Sequence, residues 1–311
     1  MPYFRTNIRK GGGSTGTPDL TYTVCYVKDG QNIPLGSSVR RGYSGNSTFN
    51  QKVLIGENVV ICDQLFYDAT FFNQSVTIPP NAISCYEMFG GCTYYNADAV
   101  DIPNTVENTA LMFAGCSAFN KPVSGAKNSL NCASMFQGCT RFNQPFAMPN
   151  NVENCYNMFN GCKNFNQPIT MPNSVIDCSG MFFGCDLFNQ PITISKNAEN
   201  CYRMFRSCTN FSQDVVIPKN VTNAALLFYL STNMCGNIYI NGTPNVNCII
   251  AGKNKSLTCN IFVTNSFNEN MNKMILLNGN ATLVGLQPLG DGNGYYSANY
   301  NCYIYNNYVG T

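Results

Sequence analysis

Phe165-Asn166-Gln167-Pro168-Ile169-Thr170-Met171-Pro172, then a turn, then Cys178-Ser179-Gly180-Met181-Phe182-Phe183-Gly184-Cys185: both halves of this stretch recur along the chain. The phenylalanine of the Met-Phe pair returns as Phe66, Phe89, Phe113, Phe136, Phe159, Phe182, Phe205 and Phe228, at steps of 23 or 24 residues. A second aromatic row, Phe49, Phe72, Tyr95, Phe119, Phe142, Phe165, Phe188 and Phe211, keeps the same phase. Two aromatic rows in fixed phase mark a stack of repeats, each unable to bury its apolar face alone.

Each repeat carries one short alternating segment, such as Val76-Thr77-Ile78, Ile169-Thr170-Met171 or Val215-Val216-Ile217. Alternation with β-branched residues predicts a short strand, and the following proline ends it because it cannot donate to a ladder. Counting from Val53-Leu54-Ile55 to Ile261-Phe262-Val263 gives about ten rungs of 23 residues. Parallel strands are expected near Leu54, Thr77, Thr170, Thr193, Val216 and Tyr239, all in one sheet. In the other half of the repeat, Cys155, Met158, Phe159 and Cys162 fall at i, i+3, i+4 and i+7. That spacing predicts a short helix, with Gly138, Gly161 and Gly184 as left-handed terminators.

The pattern Phe-Asn-Gln-x-Ile followed by Met-Phe-x-Gly-Cys resembles the BspA-like leucine-rich repeats of bacterial surface proteins, and especially the Phe-Asn-Gln variant of mycoplasma surface lipoproteins. The resemblance runs over about residues 49 to 231 and more faintly to 264. It implies a leucine-rich-repeat-type solenoid, with one short parallel strand and one helical turn per rung, and a role as an adhesin or surface interaction module. Pro145, Pro168 and Pro191 stand where the mycoplasma pattern usually has Asp. No signal peptide, lipobox cysteine or wall anchor is read in the sequence.

An open solenoid needs caps. Residues 21–48 are the expected N-terminal β cap, on the alternation of Thr21 to Val27 and the Asp29-Gly30 turn signal. Residues 49–264 form the solenoid, and the Tyr-rich residues 265–311 the C-terminal cap. Residues 1–20 read as an arm and glycine-rich linker, with Phe4, Arg5, Ile8, Arg9 and Lys10 as a docking peptide.

The 311 residues are 11% charged, with a net charge of +2. Soluble domains average about 25% charged residues, so uncharged polar groups, asparagine above all, must cover this surface. No global basic field draws nucleic acid, and no apolar run reaches the length of a membrane helix.

Seventeen cysteines invite zinc, disulfide or redox readings. Twelve fall into two repeat rows: Cys62, Cys85, Cys132, Cys155, Cys178, Cys201; and Cys92, Cys116, Cys139, Cys162, Cys185, Cys208. Ala, Thr or Ser takes their place at Ala69, Thr109, Ala224 and Ser231, so the slots want a small buried side chain. The in-rung spacing lacks the close Cys pairs of zinc sites. On a helix it spans about 10 Å, too far for a disulfide. Side chains in register on neighbouring rungs aim poorly for one. Reduced structural thiols are favoured; some disulfides, or a metal, are the other readings. The Asn row (Asn50, Asn73, Asn96, Asn120, Asn143, Asn166, Asn189) reads as a ladder satisfying the backbone of the next rung, as does a second row from Asn108 to Asn223.

Catalysis finds little support. There is no histidine, so the commonest general base is missing, and Glu107, Glu153 and Glu199 share one solvated slot. No cofactor or metal is expected. Candidate binding residues are the outward strand positions Asp101, Ser124, Thr170, Thr193, Val216 and Tyr239, together with Tyr86, Tyr156 and Tyr202 on the opposite side. The functional expectation is a non-enzymatic attachment protein, read first as a bacteriophage virion component, a tail or head appendage assembled in the host cytoplasm. Its partners would be other virion proteins through the arm, and a host surface protein or glycan. The alternative is a bacterial or protist cell-surface adhesin or protein-binding module.

Overall fold

The computed structural model describes residues 23–25, 37–242, 244, 249, 257–263, 286–288, 294–297 and 302–305. Among these, Cys178 to Cys185 show how the repeat is held. The amides of Cys178, Gly180, Phe182 and Gly184 donate to the carbonyls of Asn200, Tyr202, Met204 and Arg206 in the following repeat, at 2.8 to 3.0 Å. The amides between them turn back inside the repeat: Met181 to Cys178, Phe183 to Gly180, and Cys185 to Phe182. Successive amides thus alternate between the neighbouring rung and a tight turn.

This corrects the expected helix. No helix occurs among the described residues. An α-helix sends every amide four residues back, whereas here half of them leave the segment. Every fourth residue is left-handed, Gly180 at φ 61° and Gly184 at 69°, which no right-handed helix tolerates. The same two slots are left-handed in other repeats even where they hold Leu111, Leu226 or Leu230, at φ 58° to 62°. Each such leucine costs about 1–2 kcal/mol, so the inter-rung bonds must outweigh it. Gly138, Gly161 and Gly184 do take positive φ, but in a coil of turns rather than at helix ends.

The chain divides into two units, residues 1–149 and 150–311. In the first, this corner runs through residues 39–45, 62–68, 85–91 and 109–115, each donating to the next. In the second it runs through 155–161, 178–184 and 201–207 in the same way. Two rings per repeat pack inside. In the second unit Phe182 lies 4.2 Å from Phe188 within its rung, and 5.7 Å from both Phe159 and Phe205 on either side, nearly coplanar. In the first unit Tyr43 joins the row one repeat before Phe66, stacking at 5.7 Å on Phe66 and 4.0 Å on Phe49.

Strand ladders are fewer than the ten expected. In the first unit β1 (Thr23–Cys25) pairs parallel with β3 (Val53–Ile55), β2 (Ser37–Ser38) with β4 (Val59–Ile61), and β5 (Val100–Ile102) with β6 (Val123–Gly125). In the second, β7 (Val215–Ile217), β8 (Ile238–Ile240) and β9 (Cys259–Val263) are parallel in register. β12 (Cys302–Tyr305) continues beside β9 in parallel, and β11 (Gly294–Ser297) and β10 (Leu286–Pro288) close the sheet antiparallel. The repeats that pair are therefore parallel, as expected, but in separate sheets rather than one. The segments around Thr77, Thr170 and Thr193 form no ladder. They keep the alternation nonetheless: Ile169 and Met171 are buried and Thr170 is exposed. Pro168 and Pro172 bracket that segment and have no amide to donate to a ladder, and its stack is held at the corner instead. Gly125 is required: a Cβ there would overlap the Ile102 carbonyl oxygen, and its φ is 82°.

The asparagine row is a ladder in fact. The backbone amides of Asn73, Asn96, Asn120 and Asn143 donate to the side-chain oxygen one repeat earlier, at 2.8 to 2.9 Å. In the second unit Asn189 and Ser212 do the same, to Asn166 and Asn189. The second row behaves differently from expectation. Asn108, Asn131, Asn154, Asp177, Asn200 and Asn223 each accept from the amide two residues on, closing a turn within their own rung.

The cysteine rows also divide by role. Cys92, Cys116, Cys139, Cys185 and Cys208 donate their thiols to phenylalanine carbonyls of the preceding repeat, at 2.9 to 3.0 Å. Ser231 makes the same bond to Phe205, which explains why Ser exchanges with Cys there. In the other row Cys178 and Cys201 face each other as thiols, Sγ to Sγ 3.5 Å, so side chains in register aim better than the sequence suggested. None of the fourteen cysteines with described side chains is in a disulfide, and thirteen of them are buried. Among the described residues no group of three or more Cys, Asp or Glu could hold a metal.

Candidate functional site

The outward strand positions are where the molecule offers a surface. In the second unit Thr170 and Thr193 are exposed and Val216 is 37% exposed. From β8 onward the same face becomes aromatic, because Tyr239 is in register with Phe262, and Phe262 with Tyr305. The rings stack at 4.8 and 5.0 Å, and Tyr303 and Tyr296 extend the row. Each is half-buried, leaving an aromatic strip on the solvent side of a sheet.

Beside this strip lies a cavity of about 710 Å³. Thr193, Val216 and Pro218 line it with apolar and hydroxyl surface, and Asp214, Lys196, Lys219 and Asn241 supply its polar groups. Asp214 is already committed, accepting the Asn237 backbone amide at 2.7 Å and its side-chain amide at 3.2 Å. Lys196 and Lys219 are exposed and lie one repeat apart in the same slot. The side-chain oxygen of Asn241 is buried with no hydrogen-bond partner among the described residues.

The sequence pointed to Thr193 and Val216 and to Tyr239 nearby, and the structure places them on one face; Thr170 lies in the same slot one repeat earlier. It missed Lys196, Lys219, Asn241, Phe262 and Tyr305. The lysine pair and Phe262 were within reach, since each lies 23 residues from its partner. In the first unit Asp101 and Ser124 are exposed neighbours, with the Ser124 hydroxyl donating to the Asp101 carboxylate at 2.7 Å. On the other side of the repeats Tyr156 is 46% exposed and Tyr86 half-buried. Tyr202 carries the Arg203 guanidinium 4.5 Å from its ring centre, and Arg206 sits 5.0 Å from the rings of both Phe183 and Tyr229. Phe4, Arg5, Ile8, Arg9 and Lys10 lie outside the described residues, as does most of the expected C-terminal cap. No described helix is long and apolar enough to cross a membrane.

The sequence profile of a family described as "Mycoplasma protein of unknown function, DUF285" matches residues 81–195 and 131–241, together more than half of the chain. The structure is similar, at a TM-score of 0.37 and 14% sequence identity, to a leucine-rich repeat protein from Bacteroides ovatus, over 78% of this chain and 79% of that one. No curated protein matches the sequence.

Proposed function

Because the chain belongs to the DUF285 repeat family, whose repeat solenoid fits a protein-binding or surface role, we propose that it is a non-catalytic attachment module whose strand face in residues 150–311 meets the partner. One observation carries this reading: the aromatic strip Tyr239–Phe262–Tyr305 beside a cavity whose lysines have no ion-pair partner among the described residues. Aromatic rings give large contact area at low entropic cost, and the exposed lysines add cationic donors beside them. The test is binding of the labelled protein to arrayed surface glycans and extracellular proteins. Tyr239→Arg should abolish binding and leave the melting curve unchanged, while Tyr156→Arg on the opposite side should bind as wild type. The reverse pattern would move the working surface to the turn side.

The finer reading, a bacteriophage virion component, is supported by the sequence of the arm, where Arg5, Arg9 and Lys10 with Phe4 precede a glycine linker. Deleting residues 1–16 should then abolish incorporation into the parent particle without changing the melting curve. Incorporation at the wild-type level would remove the arm's role.

A further inference from the structure

We propose that the cavity at Lys196 and Lys219 takes a carboxylated sugar residue; this rests on the strand face being the recognition surface. The two lysines occupy the same slot in adjacent rungs, and both are exposed at the cavity. Two like charges on neighbouring rungs favour an anion between or above them. The single carboxylate in the cavity wall, Asp214, is bound by Asn237 and does not balance both lysines, which leaves one positive charge in excess. Nor does the next repeat fill the slot. It holds Gly242, at φ 86°, where an added Cβ would come within 2.9 Å of the Lys219 carbonyl oxygen. Gly242 therefore puts no side chain beyond the lysines, and a carboxylate entering there meets two ammonium groups as charge-assisted donors.

The rest of the lining fits a sugar ring. Asn241 lines the cavity, its side-chain oxygen has no donor among the described residues, and a turn of the side chain would offer that oxygen to a sugar hydroxyl. Thr193 offers a hydroxyl of its own, and Val216 with Pro218 an apolar floor for the C–H face of a pyranose. Tyr239, next to Val216 in register, extends that floor with a ring for a second residue. An acidic peptide suits the place less well. Its carboxylates bring no donor for the Asn241 oxygen, whereas the hydroxyls of a sugar do.

The experiment is titration calorimetry of the full chain with four probes: sialyllactose, a glucuronate-containing disaccharide, neutral lactose and tetraglutamate. At least one acidic saccharide should bind, about tenfold or more tighter than lactose. The double variant Lys196→Gln/Lys219→Gln should lose about tenfold or more of that affinity with an unchanged melting curve. Asn241→Leu should weaken the acidic saccharide while leaving its salt dependence intact, since the lysines remain. Equal binding of lactose, tetraglutamate binding in place of the saccharides, or no saccharide binding at all would each overturn the proposal. If Tyr239→Arg still abolished attachment in that last case, the recognition face would stand and only the carboxylated ligand would fall.

Discussion

Raising the pH above about 9 should unfold the protein steeply. Eight buried thiols have pKa values raised above the ordinary 9.0. For Cys92, Cys116, Cys132, Cys139, Cys185 and Cys208 the main cause is burial, which penalises the thiolate. For Cys85 and Cys178 it is first the hydrogen bond to the neighbouring thiol, Cys62 or Cys201, and then burial. A folded-state pKa above the unfolded one gives stability that is whole below the unfolded pKa and lost as pH rises past it. Above pH 9 the unfolded chain releases protons that the native chain retains. Each thiol whose folded pKa lies well above the test pH then removes about 1.4 kcal/mol per pH unit, and the seven raised furthest together about 10 kcal/mol per unit. Domains hold only about 5–15 kcal/mol in total. Melting curves under reductant from pH 7 to about pH 10 should be level up to about pH 8.5 and then collapse within about one unit. A melting temperature level to pH 10 would mean that these thiols ionise in place, and the core would not be as drawn.

Phe182→Ala should cost about 3–5 kcal/mol. Phe182 is fully buried and touches four rings: Phe188 at 4.2 Å, Phe159 and Phe205 at 5.7 Å, and Phe165 at 6.3 Å. Each aromatic pair adds about 0.5–1.5 kcal/mol beyond area burial. The rings above and below also stack on it, so the loss should spread to neighbouring rungs. Denaturant melts read it: a midpoint unchanged from wild type would show that the ring row is not a continuous core.

What the sequence carried was packing; what it hid was where the backbone hydrogen bonds go. Both ring rows and the cysteine rows are buried where their period placed them. Cys178, Met181, Phe182 and Cys185 do share one inward face, and that is why a helix looked right. A coil with a left-handed residue at every fourth position repeats close enough to 3.6 residues that an i, i+3, i+4, i+7 pattern does not separate the two. The separating signal was the pair of left-handed slots four residues apart. In Gly180 and Gly184 it is written in glycine, but Asn157, Arg203 and Leu226 fill the first slot elsewhere and conceal it. Likewise Thr170 and Thr193 were legible as outward positions but not as positions without a ladder, because alternation reports burial and not bonding. At the site, Lys219 could be read from Lys196 by adding one period. Tyr305 could not, since it reaches the strip from a remote segment that pairs with β9.

The corner is a ladder between repeats and not a set of short helices. Residue-resolved amide exchange tests this at Cys178 and Gly180. A helix beginning there would leave its first four amides without partners inside it, and both would exchange quickly. In the ladder they donate to Asn200 and Tyr202 at 3.0 and 2.8 Å, and both should be protected together with Phe182 and Gly184. Rapid exchange at Cys178 and Gly180, with protection only from Phe182 onward, would contradict it.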